Sequence, residues 1–257
     1  MTDLPTPTHP APVDSTGSRG SRILGAIAAG LVAATCFYAF VVTGPDSQLG
    51  ETVRILYLHV PSVITAYLLV AIAAGASAFH LWKRNEFSDL LAASATEIGM
   101  VFLGVTLVTG MLWGRPTWGV YWVWDARLTT TALLFLMLVG YAVVRSLPAE
   151  PRSRATRSAV LSLVSLALVP VVSRSVEWWN SLHQGQTVLG TSDAKLDGAQ
   201  LFGLFLGMVS GPVIAAWLLM HRFRVAWLAE RAEELGLDAA IAARRLEAGG
   251  DAAGATS

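Results

Sequence analysis

Six apolar runs long enough to cross a bilayer constrain this chain more than any other feature. They cover approximately residues 23–43, 55–81, 90–112, 128–145, 157–173 and 201–220. A helix needs about 20 apolar residues to cross a hydrocarbon layer roughly 30 Å thick, and the runs are close to that length. Lipid offers no partner to a backbone N–H or C=O, so each run must satisfy its own backbone as a helix. The expected fold is therefore an all-α integral membrane protein, a bundle of six transmembrane helices. The fifth run is short and carries Pro170 near its end, which leaves its boundaries the loosest.

Composition agrees with the membrane class and removes others. Hydrophobic residues make up 54% of the 257 and charged residues only 14%, against about 25% in a soluble domain. A net charge of zero gives no basis for binding nucleic acid. The single Cys36 excludes an internal disulfide or a Cys-rich metal site, and its apolar surroundings read as a small lipid-facing or buried residue.

Residues 1–21 read as a tail rich in Pro, Ser and Thr. The run behind Arg19 and Arg22 is too long for a signal peptide and reads as a retained helix. Residues 22–221 form the six-helix domain. Residues 222–257 read as an amphipathic helix at or beyond the inner membrane surface, followed by a tail. With the N-terminus inside, inner segments carry 13 of the 18 Lys and Arg and outer segments carry Arg54, Arg115, Arg127, Arg174 and Lys195. The positive-inside rule then puts both termini in the cytoplasm.

That topology brings three unusual segments to the outer face. The third connection runs from Trp113 through Trp118, Tyr121, Trp122, Trp124 and Asp125 to Arg127. The fifth contains Trp178, Trp179 and His183, and His59 and Pro61 open the second helix. Six of nine tryptophans fall in these segments. An aromatic belt is one reading, though a belt would populate both interfaces more evenly. A platform for a large planar ligand is the other. Gly114, Pro116 and Gly119 are expected to break the third connection, and a helical turn would put Trp118 and Trp122 on one side.

Of five histidines, His9 lies in the tail, while His80 and His221 end helices at the inner surface. His59 and His183 share the outer face, and two neutral imidazoles can fill both axial positions of haem iron. Arg54, Arg115, Arg127 and Arg174 are available to pair with propionates. Asp125 could cap the fourth helix, pair with Arg127, or fix an imidazole tautomer; the first two are the commoner roles. Glu97, inside the third run, is an expensive charge without an evident role.

The run from Trp118 to Thr129 resembles the tryptophan-rich WWD signature of haem-handling membrane proteins. The segments His59-Val-Pro61 and Ser175–Gly185 narrow the resemblance to the CcmC family of system I cytochrome c maturation, over roughly residues 22–221. Tyr121 stands where another Trp is common. The resemblance implies that His59 and His183 are axial ligands to haem b. It also implies that Trp113, Trp118, Trp122, Trp124 and Asp125 form the platform, with Tyr121, Trp178 and Trp179 as flanking aromatics. It further implies a site on the outer face of the bacterial plasma membrane, and presentation of haem to the chaperone CcmE. The implied associates are the ABC-type subunits CcmA and CcmB and the small membrane protein CcmD. No P-loop run is present, so a non-enzymatic, haem-delivering subunit is expected, with any ATP hydrolysis in a partner. The competing classes are a b-type electron-transfer protein, which would stack a second histidine pair near the inner leaflet, and a small-molecule permease.

Overall fold

Five of the six long helices begin where a side chain can answer the free N–H groups of a first turn. Ser18 and Ser21 form a reciprocal capping box at α1 (Arg19–Phe37). Asn85 accepts from Ser88 N at 3.2 Å to start α3 (Glu86–Trp118). Asp125 accepts from Leu128 N at 2.8 Å to start α4 (Ala126–Ser146). Glu150 bonds two amides ahead of α5 (Pro151–Trp178), whose first residue is the proline that position favours. Asp197 and Gln200 cap each other at the start of α6 (Gly198–Gly254). Only α2 (Leu56–Lys83) lacks a side-chain cap, and a 3-10 turn, Glu51–Ile55, leads into it.

The computed structural model describes residues 17–47, 49–179, 181–183 and 196–254. Within them are six helices long and apolar enough to cross a membrane, and no strand. The chain is a multi-pass helical membrane protein. Helices α2 and α3 form one hairpin and α4 and α5 another, while α1 lies against α6. Helix α2 is central, touching α3, α5 and α6. Ala66, Val70, Leu103, Leu134, Leu138 and Val172 close the core between α2, α3, α4 and α5. Leu69, Ala73, Ala95 and Ala215 close it between α2, α3 and α6. Lipid is as apolar as leucine, so close packing and interhelical polar contacts, rather than escape from water, hold these helices together.

Several boundaries differ from the sequence expectation. Helix α3 does not break at Gly114 or Pro116. It runs through both and stops at Gly119, whose φ of 80° is left-handed and open to glycine without strain. Trp118 is therefore the last helical residue, and Trp122 does not share a turn with it. Helix α5 passes Pro170 and ends at Trp178, so Trp178 belongs to a helix and Trp179 caps it. A proline costs less inside a membrane helix because neighbouring groups recover the freed carbonyl.

At the end of the bundle away from the Trp-rich connections, α6 continues without interruption past the expected limit of its span. His221 is thus inside a helix, edge-on to Trp217, rather than at a helix end. His80 does lie in the last turn of α2, where it bonds the Asn85 carbonyl through Nδ1. Glu97 finds its role here: Arg222 grips both of its oxygens, at 2.5 and 2.8 Å. Phe87 meets Phe223 one residue further along α6. The start of the C-terminal extension is thereby fixed to α3. Cys36 is exposed on α1, as expected of a lipid-facing residue. The tail's first described turn begins at Arg19 rather than after residue 21; His9 and Lys195 lie outside the described residues.

Candidate haem site at the Trp-rich end of the bundle

Helix α3 organises this end of the molecule. Its Thr109 hydroxyl donates to the Val105 carbonyl at 2.7 Å, which commits its one proton to the helix. The same oxygen lies 3.0 Å from His59 Nδ1, so the imidazole is the donor in that contact. The tautomer assigned by this network carries its proton on Nδ1 and its lone pair on Nε2. Gly110, the next residue, makes room for the ring: a Cβ there would sit 3.2 Å from His59 Cε1. One turn further out Trp113 meets Trp118 edge to face, with centroids 5.4 Å apart.

The second imidazole reaches the same place from the opposite connection. Trp118 packs against His183 at 4.7 Å, again edge-on. His183 Nδ1 lies 3.0 Å from Asp125 Oδ2, while Asp125 Oδ1 caps α4. The carboxylate therefore fills two of the three roles open to it in the sequence, one with each oxygen. Ser181 completes the knot by donating to Asp125 Oδ2 at 2.5 Å and accepting from His183 N at 3.1 Å. His183 and Arg127 are both close enough to His59 for their charges to interact with it.

The electrostatics favour a neutral imidazole beside an ionised carboxylate. Burial lowers the His183 pKa from its ordinary 6.5, against the opposing pull of Asp125, and Arg127 lowers it further. Burial would raise Asp125, but the hydrogen bonds from Ser181, His183 and the Leu128 amide outweigh it and bring its pKa down. His183 thus presents the same arrangement as His59, with Nδ1–H held and Nε2 carrying the lone pair. Protonating Nε2 is the competing reaction for any metal. The His183 imidazole is accordingly expected to take up its second proton with a midpoint below 6.5. A pH titration of its NMR resonances checks this; a midpoint above 6.5 would contradict it.

The aromatic set divides in two. Trp113, Trp118 and Trp122 are half-buried, and the indole N–H groups of Trp113 and Trp122 are enclosed with no hydrogen-bond partner among the described residues. Trp122 meets Trp124 edge to face at 5.4 Å, and Trp124 is 80% exposed. Trp178 and Trp179 form a separate exposed pair. Tyr121 is also exposed, beneath the Arg115 guanidinium at 5.7 Å. The described indole pairs meet edge to face rather than stacking as one plane.

The four arginines are likewise unequal. Arg54 is engaged with Glu51 at 2.5 Å and with the Ala39 and Thr43 carbonyls. Arg115 bonds the Gly119 carbonyl, and exposed Arg174 pairs with Glu177 at 2.8 Å. Arg127, partly buried, donates to the Ser173 carbonyl at 3.2 Å, and its charge reaches both histidines. Thr109, Gly110 and Ser181 were not singled out from sequence. Thr109 and Gly110 stand one turn before Trp113, and Ser181 two residues before His183, but nothing local marks them as neighbours of an imidazole.

Six helices long and apolar enough to cross a membrane, with two imidazoles, a carboxylate and several indoles gathered at one end, define a polytopic membrane protein with a candidate site there. Residues 6–237 match the family model described as heme exporter protein C. Heme exporter protein C of Bradyrhizobium diazoefficiens is 35% identical over 217 residues, 84% of this chain and 82% of the relative. The Escherichia coli K12 protein of that name is 35% identical over 187 residues, 73% and 75% of the two chains. A cytochrome c biosynthesis ccmC-like mitochondrial protein of Marchantia polymorpha is 35% identical over 164 residues, 63% and 69%. The chain belongs to the heme exporter protein C family, CcmC.

Proposed function

We propose that this protein holds haem b as cargo between His59 and His183 and delivers it for cytochrome c maturation. One observation carries the reading. Two imidazoles from distant parts of the chain converge beside a Trp wall, each with Nδ1 held by a hydrogen bond and Nε2 left to donate. The donor set fits haem iron, which accepts two neutral imidazoles, and the half-buried indoles of Trp113, Trp118 and Trp122 suit the porphyrin edge and face. Arg127 is the propionate partner best supported by position, with Arg54, Arg115 and Arg174 as outer candidates. Asp125 and Thr109 orient the ligands without touching the iron.

The role is haem handling rather than catalysis. The Lys and Arg bias supports a cytoplasmic location for both termini and an outer, extracytoplasmic location for the site in the bacterial plasma membrane. Exposed Trp124, Trp178 and Trp179 beside the ligands support hand-over to another protein at that face, and CcmE is the acceptor implied by family. CcmA, CcmB and CcmD are the corresponding membrane partners.

The test is an absorption spectrum of the detergent-purified protein beside His59→Ala and His183→Ala. Wild type should show low-spin haem, and each variant should lose it or become high-spin. Unchanged spectra in both variants would sink the ligand assignment.

A further inference from the structure

Helix α6 carries Gly203, Gly207 and Gly211 at intervals of four, and each faces a residue of α2 at the same interval. A Cβ on Gly203 would lie 3.1 Å from Tyr57 Cε1. One on Gly207 would lie 2.8 Å from Pro61 Cγ and 3.1 Å from the Tyr57 carbonyl oxygen. One on Gly211 would lie 3.2 Å from the Pro61 carbonyl oxygen and closer still to the Thr65 hydroxyl. The two helices meet backbone to backbone over exactly the turn that bears His59.

Pro61 explains why the approach is there. The Tyr57 carbonyl would accept from the amide of residue 61, and proline has none. Gly207 faces that freed carbonyl, and its missing side chain leaves the room: a Cβ there would lie 3.1 Å from the Tyr57 oxygen. The backbone on either side of His59 is thereby seated on α6, while its ring is held from α3 by Thr109 and Gly110. Neither obstacle at Gly207 can swing aside, since one is a proline ring and the other a backbone carbonyl. A methyl group there must push the helices apart by several tenths of an ångström. Ligand constellations tolerate only roughly 0.5 Å.

We infer that Gly207, with Gly203 and Gly211, is a positioning element that sets His59 against the haem iron. The inference rests on His59 being an axial ligand. Helix α6 thus contributes to the site although none of its side chains need touch the haem.

The experiment compares wild type, Gly207→Ala, His59→Ala and Gly75→Ala by haem spectrum and haem titration in detergent, with and without added imidazole. Gly75 is the control, since it lies on the same α2 and a Cβ there meets nothing within 4 Å. Gly207→Ala should lose low-spin haem as His59→Ala does, with affinity reduced about tenfold or more, and free imidazole should restore the spectrum of both. Gly75→Ala should match wild type. A wild-type spectrum in Gly207→Ala overturns the inference, and so does haem loss that imidazole does not reverse. An unchanged His59→Ala spectrum instead removes the ligand reading beneath it. Should Gly207→Ala fail to accumulate, Gly203→Ala, whose added methyl meets the Tyr57 ring edge, decides by the same spectrum.

Discussion

Asp125→Ala should weaken haem binding by about 10- to 100-fold and also lower the stability of the bundle, because one carboxylate serves both. Loss of a ligand's outer-shell partner typically costs that much affinity. Loss of an N-cap costs about 0.5–2 kcal/mol. The two roles separate in Asp125→Asn. Asparagine caps a helix as well as aspartate does, so its amide oxygen can still accept from Leu128 N and thermal stability should stay near wild type. The neutral amide cannot support His183 electrostatically, and haem affinity should still fall by about tenfold. Haem titrations and thermal unfolding of both variants give the answer. Wild-type affinity in Asp125→Asn would reduce Asp125 to a helix cap.

The second large effect lies at the other end. Asp89, in the first turn of α3, receives two bonds from Arg145 in the last turn of α4, at 2.7 and 3.0 Å. Their side chains are only 13% and 16% exposed. Each charge also complements the dipole of its own helix. Removing one partner of such a pair strands the other charge out of water, at about 3–5 kcal/mol. Arg145→Ala or Asp89→Ala should therefore destabilise far more than loss of the exposed Arg174–Glu177 pair, for which about 1 kcal/mol is the ceiling. Replacing both partners by apolar residues of similar size should recover most of the loss. Thermal midpoints of the single and double variants check this. Equal midpoints for Arg145→Ala and Arg174→Ala would show that the buried pair contributes little.

The relation between Glu97 and Arg222 shows how far a sequence reaches. The cost of a carboxylate within an apolar run marks Glu97 as engaged, yet its partner is 125 residues away. No local pattern links them. The same holds for Asp125, for which capping is legible in the three residues that follow. Its second bond depends on a loop 58 residues later. The continuation of α3 through Gly114 and Pro116 has a related reason. Both residues weaken a helix in water, but here the neighbouring helices and the lipid leave the backbone no better alternative.

The sequence by itself determined the six spans, because hydrocarbon admits no other way to satisfy their backbone. It also marked which residues could meet a planar ligand, because six of the nine tryptophans and two of the five histidines gather in three segments. The tertiary structure alone decided which nitrogen of each histidine is held, since Thr109 and Asp125 reach them only across contacts between distant segments. It alone divided the tryptophans of these connections into a half-buried set and an exposed one. It alone seated the turn of His59 on the glycines of α6. Hydrophobic length is a property of one segment read alone, whereas a tautomer, a shelter or a seat belongs to two segments at once and exists only when they have packed.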